Sequence, residues 1–204
     1  MAAFSATIDA VLTIDTFRER LAGYTPAEVA FEDGMTCAAV AAVLRPGEEG
    51  AELLFIHRAE DPRDPWSGHM AFPGGRVDPG DLDSMAAAIR ETHEEVGLEL
   101  DSVGERIGRL ADMRAIGRGR PMSMVITPFV FAVATVPRLV PNHEVAAVVW
   151  VPIDFITDRS NRETMPYRRG GLSMELPCYR YQGHLIWGMT LGMVDELLSL
   201  VEDS

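Results

Sequence analysis

The sequence predicts an α/β fold, with a mixed β-sheet between layers of helix. Three observations lead there. Apolar runs at Thr36–Leu44, Ala51–His57 and Met124–Ala134 have few polar interruptions, as strands buried on both faces do. A capped helix stands between the second and third of these runs. Another helix closes the chain over Trp187–Val201, with Leu191, Val194, Leu197 and Leu198 at its apolar positions. The 204 residues suffice for one well-buried core, so a single domain over residues 1–204 is expected.

Taken in order, residues 5–22 read as an amphipathic helix. Ile8, Val11, Leu12, Asp15 and Phe17 form an imperfect stripe that Leu21 extends, suited to core packing or to a homodimer contact. Tyr24–Gly34 is a loop. The turn Arg45-Pro46-Gly47-Glu48-Glu49-Gly50 joins the first two strands as a hairpin. Residues 58–71 form a second loop. Arg106–Met113 reads as a strand, residues 114–123 as an arginine- and glycine-rich loop, and Glu144–Val151 as a further strand. Asp154–Gly171 reads as irregular and charged. Tyr179–Tyr181 and His184–Ile186 suit a short hairpin through Gln182-Gly183.

The chemistry concentrates in residues 72–98. Phe72-Pro73-Gly74-Gly75 opens a glycine- and proline-broken loop, and the second half is a helix. Asp81, Asp83 or Ser84 can cap its start, and Gly97 suits a left-handed C-terminal cap. Met85, Ile89, Thr92 and Val96 mark its buried stripe. Glu91, Glu94 and Glu95 stand at i, i+3 and i+4, so three like charges crowd one turn. A divalent cation resolves that conflict, because hard cations take carboxylate oxygens. A solvated glutamate face is the plain alternative, and the adjoining Gly74-Gly75, Asp78 and Asp81 tip the balance towards a site.

A net charge of −13 argues against nucleic-acid backbones as the main partner. A polyphosphate substrate then requires a bound cation. All 18 basic residues are arginine. Cys37 and Cys178 lie outside any paired-cysteine motif and read as buried, reduced thiols of a cytoplasmic protein. No apolar run approaches the ~20 residues that span a membrane, and no secretory signal is expected.

The 75–98 stretch resembles the Nudix box: Gly, five residues, Glu, seven residues, then Arg-Glu-aliphatic-x-Glu-Glu-x-Gly-aliphatic. Here Gly75 is followed after five residues by Asp81, and after eight more by Arg90-Glu91-Thr92-His93-Glu94-Glu95-Val96-Gly97-Leu98. Asp81 replaces glutamate, one residue is extra, and Thr92 holds the aliphatic position; the Arg-Glu-x-x-Glu-Glu core is intact. The resemblance implies an α/β/α sandwich and a pyrophosphohydrolase using magnesium or manganese. By it, Glu91 and Glu95 are metal ligands, with Glu94 a third ligand or an aid to the attacking water. Arg90 pairs with a carboxylate at the helix–loop junction, and Gly75 brings backbone close to metal and phosphate. The general base stays open among Glu94, Glu144 and Asp81.

The preceding segment is similar to the signature of coenzyme A pyrophosphatases. That signature runs Leu-Leu-Thr-x-Arg-Ser, three residues, Arg, three residues, Gly, three residues, Phe-Pro-Gly-Gly. This chain keeps Arg58, Arg63, Gly68 and Phe72 to Gly75. It has Ile56 for threonine, Ala59 for serine, and one residue more between Arg63 and Gly68. The similarity implies hydrolysis of coenzyme A or acyl-coenzyme A to 3′,5′-ADP and 4′-phosphopantetheine. Arg58, Arg63, Gly74, Gly75 and Phe72 are then the substrate-binding candidates, with Arg118, Arg120 and Trp66 behind them. The alternatives are another nucleoside diphosphate derivative (ADP-ribose, NADH or a dinucleoside polyphosphate) and, in a different class, a ligand sensor without turnover.

Overall fold

A computed structural model of the chain describes residues 11–32, 34–64, 66–117, 120–169 and 172–202. At its centre runs β1 (Thr36–Pro46). It pairs antiparallel with β2 (Ala51–Arg58) at Leu44↔Leu53 and Pro46↔Ala51, the expected hairpin. On its other side it pairs in parallel with β7 (Arg120–Val133), from Thr36↔Met124 to Leu44↔Ala132. β5 (Gly104–Arg109) and β6 (Met113–Gly117) both lie antiparallel to β7. β8 (Val145–Pro152) and the short β3 (Met70–Ala71) lie antiparallel to β2. β4 (Gly74–Arg76) pairs with β1. The sheet is therefore mixed.

The unbroken apolar runs follow from burial on both sides. Ala39, Ala41 and Val43 of β1 and Leu54 and Ile56 of β2 meet α2 (Ser84–Val96), α3 (Leu100–Val103) and their flanks through Ala88, Val96, Leu98 and Leu100. The alternate residues Ala38, Ala42, Leu44, Leu53 and Phe55 meet the opposite layer. That layer is α1 (Ile14–Ala22) and α5 (Gly188–Glu202), with Phe17, Leu21, Leu191, Val194 and Leu197. Strands that are half exposed would show polar residues at every second position; these do not alternate in that way.

Several boundaries differ from the expected ones. The first helix begins at Ile14, capped by Thr13; residues 5–10 lie outside the described residues. Val11 and Asp15 of its expected stripe are exposed. The span read as one strand over Arg106–Met113 divides into β5 and β6, and β7 starts inside the expected arginine-rich loop. Residues 154–171, expected irregular, contain α4 (Ile153–Thr157), a 3₁₀ turn and β9 (Arg162–Arg169). β9, β10 (Leu172–Tyr181) and β11 (His184–Trp187) form a second, antiparallel sheet. Its β10–β11 turn is the expected Gln182-Gly183, both residues at positive φ. Cys178 is buried and Cys37 half-buried, both free thiols. No described helix is long and apolar enough to cross a membrane.

The layer of α1 and α5 is fastened by one polar knot. The Tyr24 hydroxyl donates to Glu196 Oε1 at 2.7 Å, and the Ala111 N–H donates to the same oxygen at 2.6 Å. Burial, and then the bond to Glu196, push the Tyr24 phenol up to about 12. A raised folded-state pKa means that the unfolded chain gives up the proton first. The stabilisation is therefore complete below about pH 10 and is lost as pH rises towards 12. Tyr24→Phe should cost about 1 kcal/mol at pH 8. Urea unfolding should show the gap to wild type narrowing at pH 11; a gap that is constant with pH would assign it to packing.

Candidate active site

Three loops meet the C-terminal half of α2. The helix itself is held by Asp83, whose side chain accepts from the Ala86 N–H at 2.8 Å, and ends at Gly97 in the left-handed region. Thr92 is fully buried, its hydroxyl donating to the Ala88 carbonyl at 2.7 Å. Glu95 follows on the same buried side and is only 2% exposed. This departs from a solvated glutamate face: the helix carries a charge into the protein.

The first loop reaches Glu95 through backbone. The Gly74 N–H donates to Glu95 Oε2 at 2.8 Å. Gly74 sits at φ +150°, where a Cβ would lie 2.3 Å from the Ala39 carbonyl oxygen and 2.5 Å from Val40 Cα, so only glycine fits. At Gly75 a Cβ would fall 2.4 Å from the Glu91 carboxyl carbon. The two glycines thus let β1 and the helix carboxylates close on one strip of backbone. Phe72, expected to bind substrate, is buried and packs on Phe55 with ring centroids 5.2 Å apart. It supports the loop from below.

The second loop follows Arg58, the last residue of β2. The Arg58 guanidinium is bound to Asp64 and lies 3.6 Å from Glu95 Oε1. The other expected arginine, Arg63 of this loop, is 91% exposed and pairs with Asp61. Trp66 donates its indole N–H to the Ile116 carbonyl at 2.9 Å and packs against the core. Arg118 lies outside the described residues, and so does the side chain of Arg120.

The third loop follows β7. The Val140 and Asn142 N–H groups donate to the Val96 and Glu95 carbonyls, each at 2.9 Å, extending the end of α2. Asn142 Oδ1 then accepts the Glu144 N–H at 2.8 Å, and the Glu144 carbonyl accepts from Ala59 at 2.7 Å. Glu144 is thereby fixed between the loop of Arg58 and the end of α2, where its charge acts on Glu91 and Glu95.

Arg90 occupies the helix–loop junction. It donates to both oxygens of Asp81 at 3.0 Å, to Glu91 at 3.1 Å, to Glu94 at 3.2 Å and to the Arg76 carbonyl at 3.1 Å. The bond from Arg90 is the chief reason why the Asp81 carboxyl lies below its ordinary range. Asp81 is a strut for Arg90, and a carboxylate so held is poorly suited to take a proton from water. Glu94 is half-exposed and tied to Arg90.

The electrostatics leave the site short of positive charge. Burial raises the Glu95 carboxyl to about 8; the Gly74 N–H and Arg58 oppose the rise, and Glu91 and Glu144 add to it. Burial likewise raises Glu91, with Glu94 and Glu144 adding to the shift against the pull of Arg90. Carboxyl groups that burial and like charge push towards the neutral form suit a hard cation, which restores their charge. Among the described residues no three acidic, histidine or cysteine groups converge closely enough to form a ready-made metal cage. Magnesium does not require one: it commonly keeps several waters and binds through one or two carboxylates together with substrate phosphates. The donor set fits such an ion.

The sequence that forms this site has counterparts in known proteins. A model of the NUDIX domain matches residues 35–169, which span β1 to β9 and hold every residue described above around α2. The chain belongs to the Nudix family. Nudix relatives include two proteins named uncharacterized Nudix hydrolase NudL. That of Enterobacter sp. strain 638 is 35% identical over 77% of this chain and 80% of its own length. That of Photorhabdus laumondii is 33% identical over 67% and 70%. A crystal structure of a Nudix hydrolase from M. smegmatis, RenU, is 27% identical, with a TM-score of 0.44 over 62% of this chain and 84% of that one. With the Nudix domain and relatives of this kind, the chain is a pyrophosphohydrolase.

Proposed function

We propose that this Nudix enzyme hydrolyses the pyrophosphate of coenzyme A or acyl-coenzyme A with magnesium, or manganese in its place. The products are 3′,5′-ADP and the 4′-phosphopantetheine portion. One observation carries the reading: both ends of the segment from Arg58 to Gly75 converge on Glu95, Arg58 by its guanidinium and Gly74 by its N–H. The stretch that resembles a coenzyme A signature is thus built into the same place as the carboxylate helix. The whole chain, in this reading, serves as one cytoplasmic domain.

Glu91 and Glu95 would hold the cation, with Glu144 facing them. Bound there, the ion would supply charge neutralisation on the phosphate oxygens and lower the pKa of a water. The protein's own groups do the rest. The Gly74–Gly75 backbone allows close approach of the pyrophosphate, and Arg58 offers planar N–H groups to its oxygens. Glu144 is preferred over Glu94 as the group that takes the proton from water. Glu94 is bonded to Arg90, whereas Glu144 is held through its backbone with a half-exposed carboxylate.

Arg63 favours a second reading, another nucleoside diphosphate derivative such as ADP-ribose, because it stands in solvent paired with Asp61. The test is a magnesium-supplemented screen of coenzyme A, 3′-dephospho-coenzyme A, ADP-ribose, NADH and diadenosine polyphosphates, with products resolved by chromatography. Preferential release of 3′,5′-ADP is expected; preference for another substrate would transfer the assignment to it. In the same assay Arg63→Ala should raise KM about tenfold for coenzyme A and less for the 3′-dephospho form, as loss of a charge-assisted contact implies. Equal changes would remove Arg63 from recognition of the 3′-phosphate.

A further inference from the structure

Asp64, Arg58 and Glu95 stand in line. Asp64 Oδ2 accepts from Arg58 Nε at 2.8 Å and lies 2.7 Å from a terminal guanidinium nitrogen. The other Asp64 oxygen accepts the Trp66 N–H at 2.9 Å, which fixes the carboxylate to its loop. The remaining terminal nitrogen of Arg58 faces Glu95 Oε1 at 3.6 Å, outside hydrogen-bond distance. Glu95 Oε2 is occupied by the Gly74 N–H. All three charged side chains are largely shielded from water, so their charges act on one another with little screening.

We propose that Asp64 is a positioning residue that sets how tightly Glu95 takes a divalent cation, acting through Arg58. The inference rests on the metal reading above. Glu95 Oε1 is the oxygen that the Gly74 N–H does not occupy, and Arg58 is the positive group in front of it. Asp64 holds two of the guanidinium's N–H groups and offsets part of its charge, which keeps Arg58 from closing on Glu95. Without Asp64, the guanidinium is free to complete its pair with Glu95 and compete with the metal. Without Arg58, the competitor is gone. The two substitutions should therefore change metal affinity in opposite directions, which loss of structure would not do.

The test is Mn2+ binding to the full chain without substrate, read from the electron paramagnetic resonance of free Mn2+. The dissociation constant should fall about fivefold in Arg58→Gln and rise about fivefold in Asp64→Asn, the order expected when one shielded charge near a ligand is removed or uncovered. Shifts in one direction for both variants, or no shift in Asp64→Asn, would overturn the proposal. If thermal unfolding shows that Arg58→Gln does not fold, Asp64→Asn decides by itself: weaker binding supports the relay and unchanged or tighter binding ends it. Glu95→Gln separates the two levels of inference. Wild-type affinity in that variant would overturn the metal assignment itself, and the relay with it. Lost affinity there with no change in Asp64→Asn would sink the relay alone.

Discussion

Replacing Glu95 with glutamine should lower kcat by roughly 10²–10³-fold, the order that a few kcal/mol of lost charge stabilisation in the transition state implies. The fold should survive. The glutamine amide has the same shape, and its oxygen can still accept the Gly74 N–H that Glu95 accepts at 2.8 Å. It replaces a carboxyl whose ionisation burial already disfavours. Steady-state kinetics at saturating magnesium, with a thermal unfolding curve beside them, separate the two effects. Turnover within threefold of wild type would move the reaction away from this end of α2.

The second large effect distinguishes two neighbouring glycines. Gly74→Ala should destabilise the protein by roughly 3 kcal/mol, lowering Tm by about 6–12 °C. Its Cβ would strike the backbone of Ala39 and Val40 in the central strand, and the left-handed φ adds strain. Gly75→Ala should leave Tm within about 2 °C. There the added Cβ meets only the Glu91 carboxyl, the far end of a flexible side chain that can swing aside. Moving Glu91 should instead lower turnover by about 10–100-fold, the size seen when a group supporting a metal site is displaced. Calorimetry and kinetics on both variants check the contrast. A stable Gly74→Ala protein, or a fully active Gly75→Ala protein, would show that β4 does not lie against β1 and α2 as described.

What the sequence makes legible here is what local pattern encodes. The continuous apolar runs of β1, β2 and β7 report burial on two faces, and Asp83 and Gly97 bound α2 through cap chemistry. The Gln182-Gly183 turn is similarly local. β9 and the first half of β10 are different. Arg162, Glu163, Thr164 and Arg168 are exposed and only Met165 and Tyr167 turn inward, an alternation too short and too polar to mark the strand; the pairing of β9 with β10 defines it. The site divides in the same way. Glu91, Glu94 and Glu95 are visible as a triplet on one helix, but that Glu95 is buried and Glu94 faces Arg90 depends on what packs against the helix. Asp81 becomes the partner of Arg90, and Asp64 the partner of Arg58, only through loop geometry. Glu144 reaches the helix by way of Asn142, a contact no spacing in the sequence announces.

The parallel pairing of β1 with β7 bears on how the active centre comes into being. It joins positions roughly 90 residues apart, and pairings of such long range are the slow ones to form because the chain between them must first be drawn into a closed loop. Arg58, Gly74, Glu91 and Glu95 all lie within that loop, and Glu144 follows β7. The carboxylates therefore gather late, when the central sheet closes. A chain in which that sheet has not closed lacks the burial of Glu95 and has no Glu144 beside it. Cation affinity is thus acquired with the native state and should add to its stability without guiding the chain there.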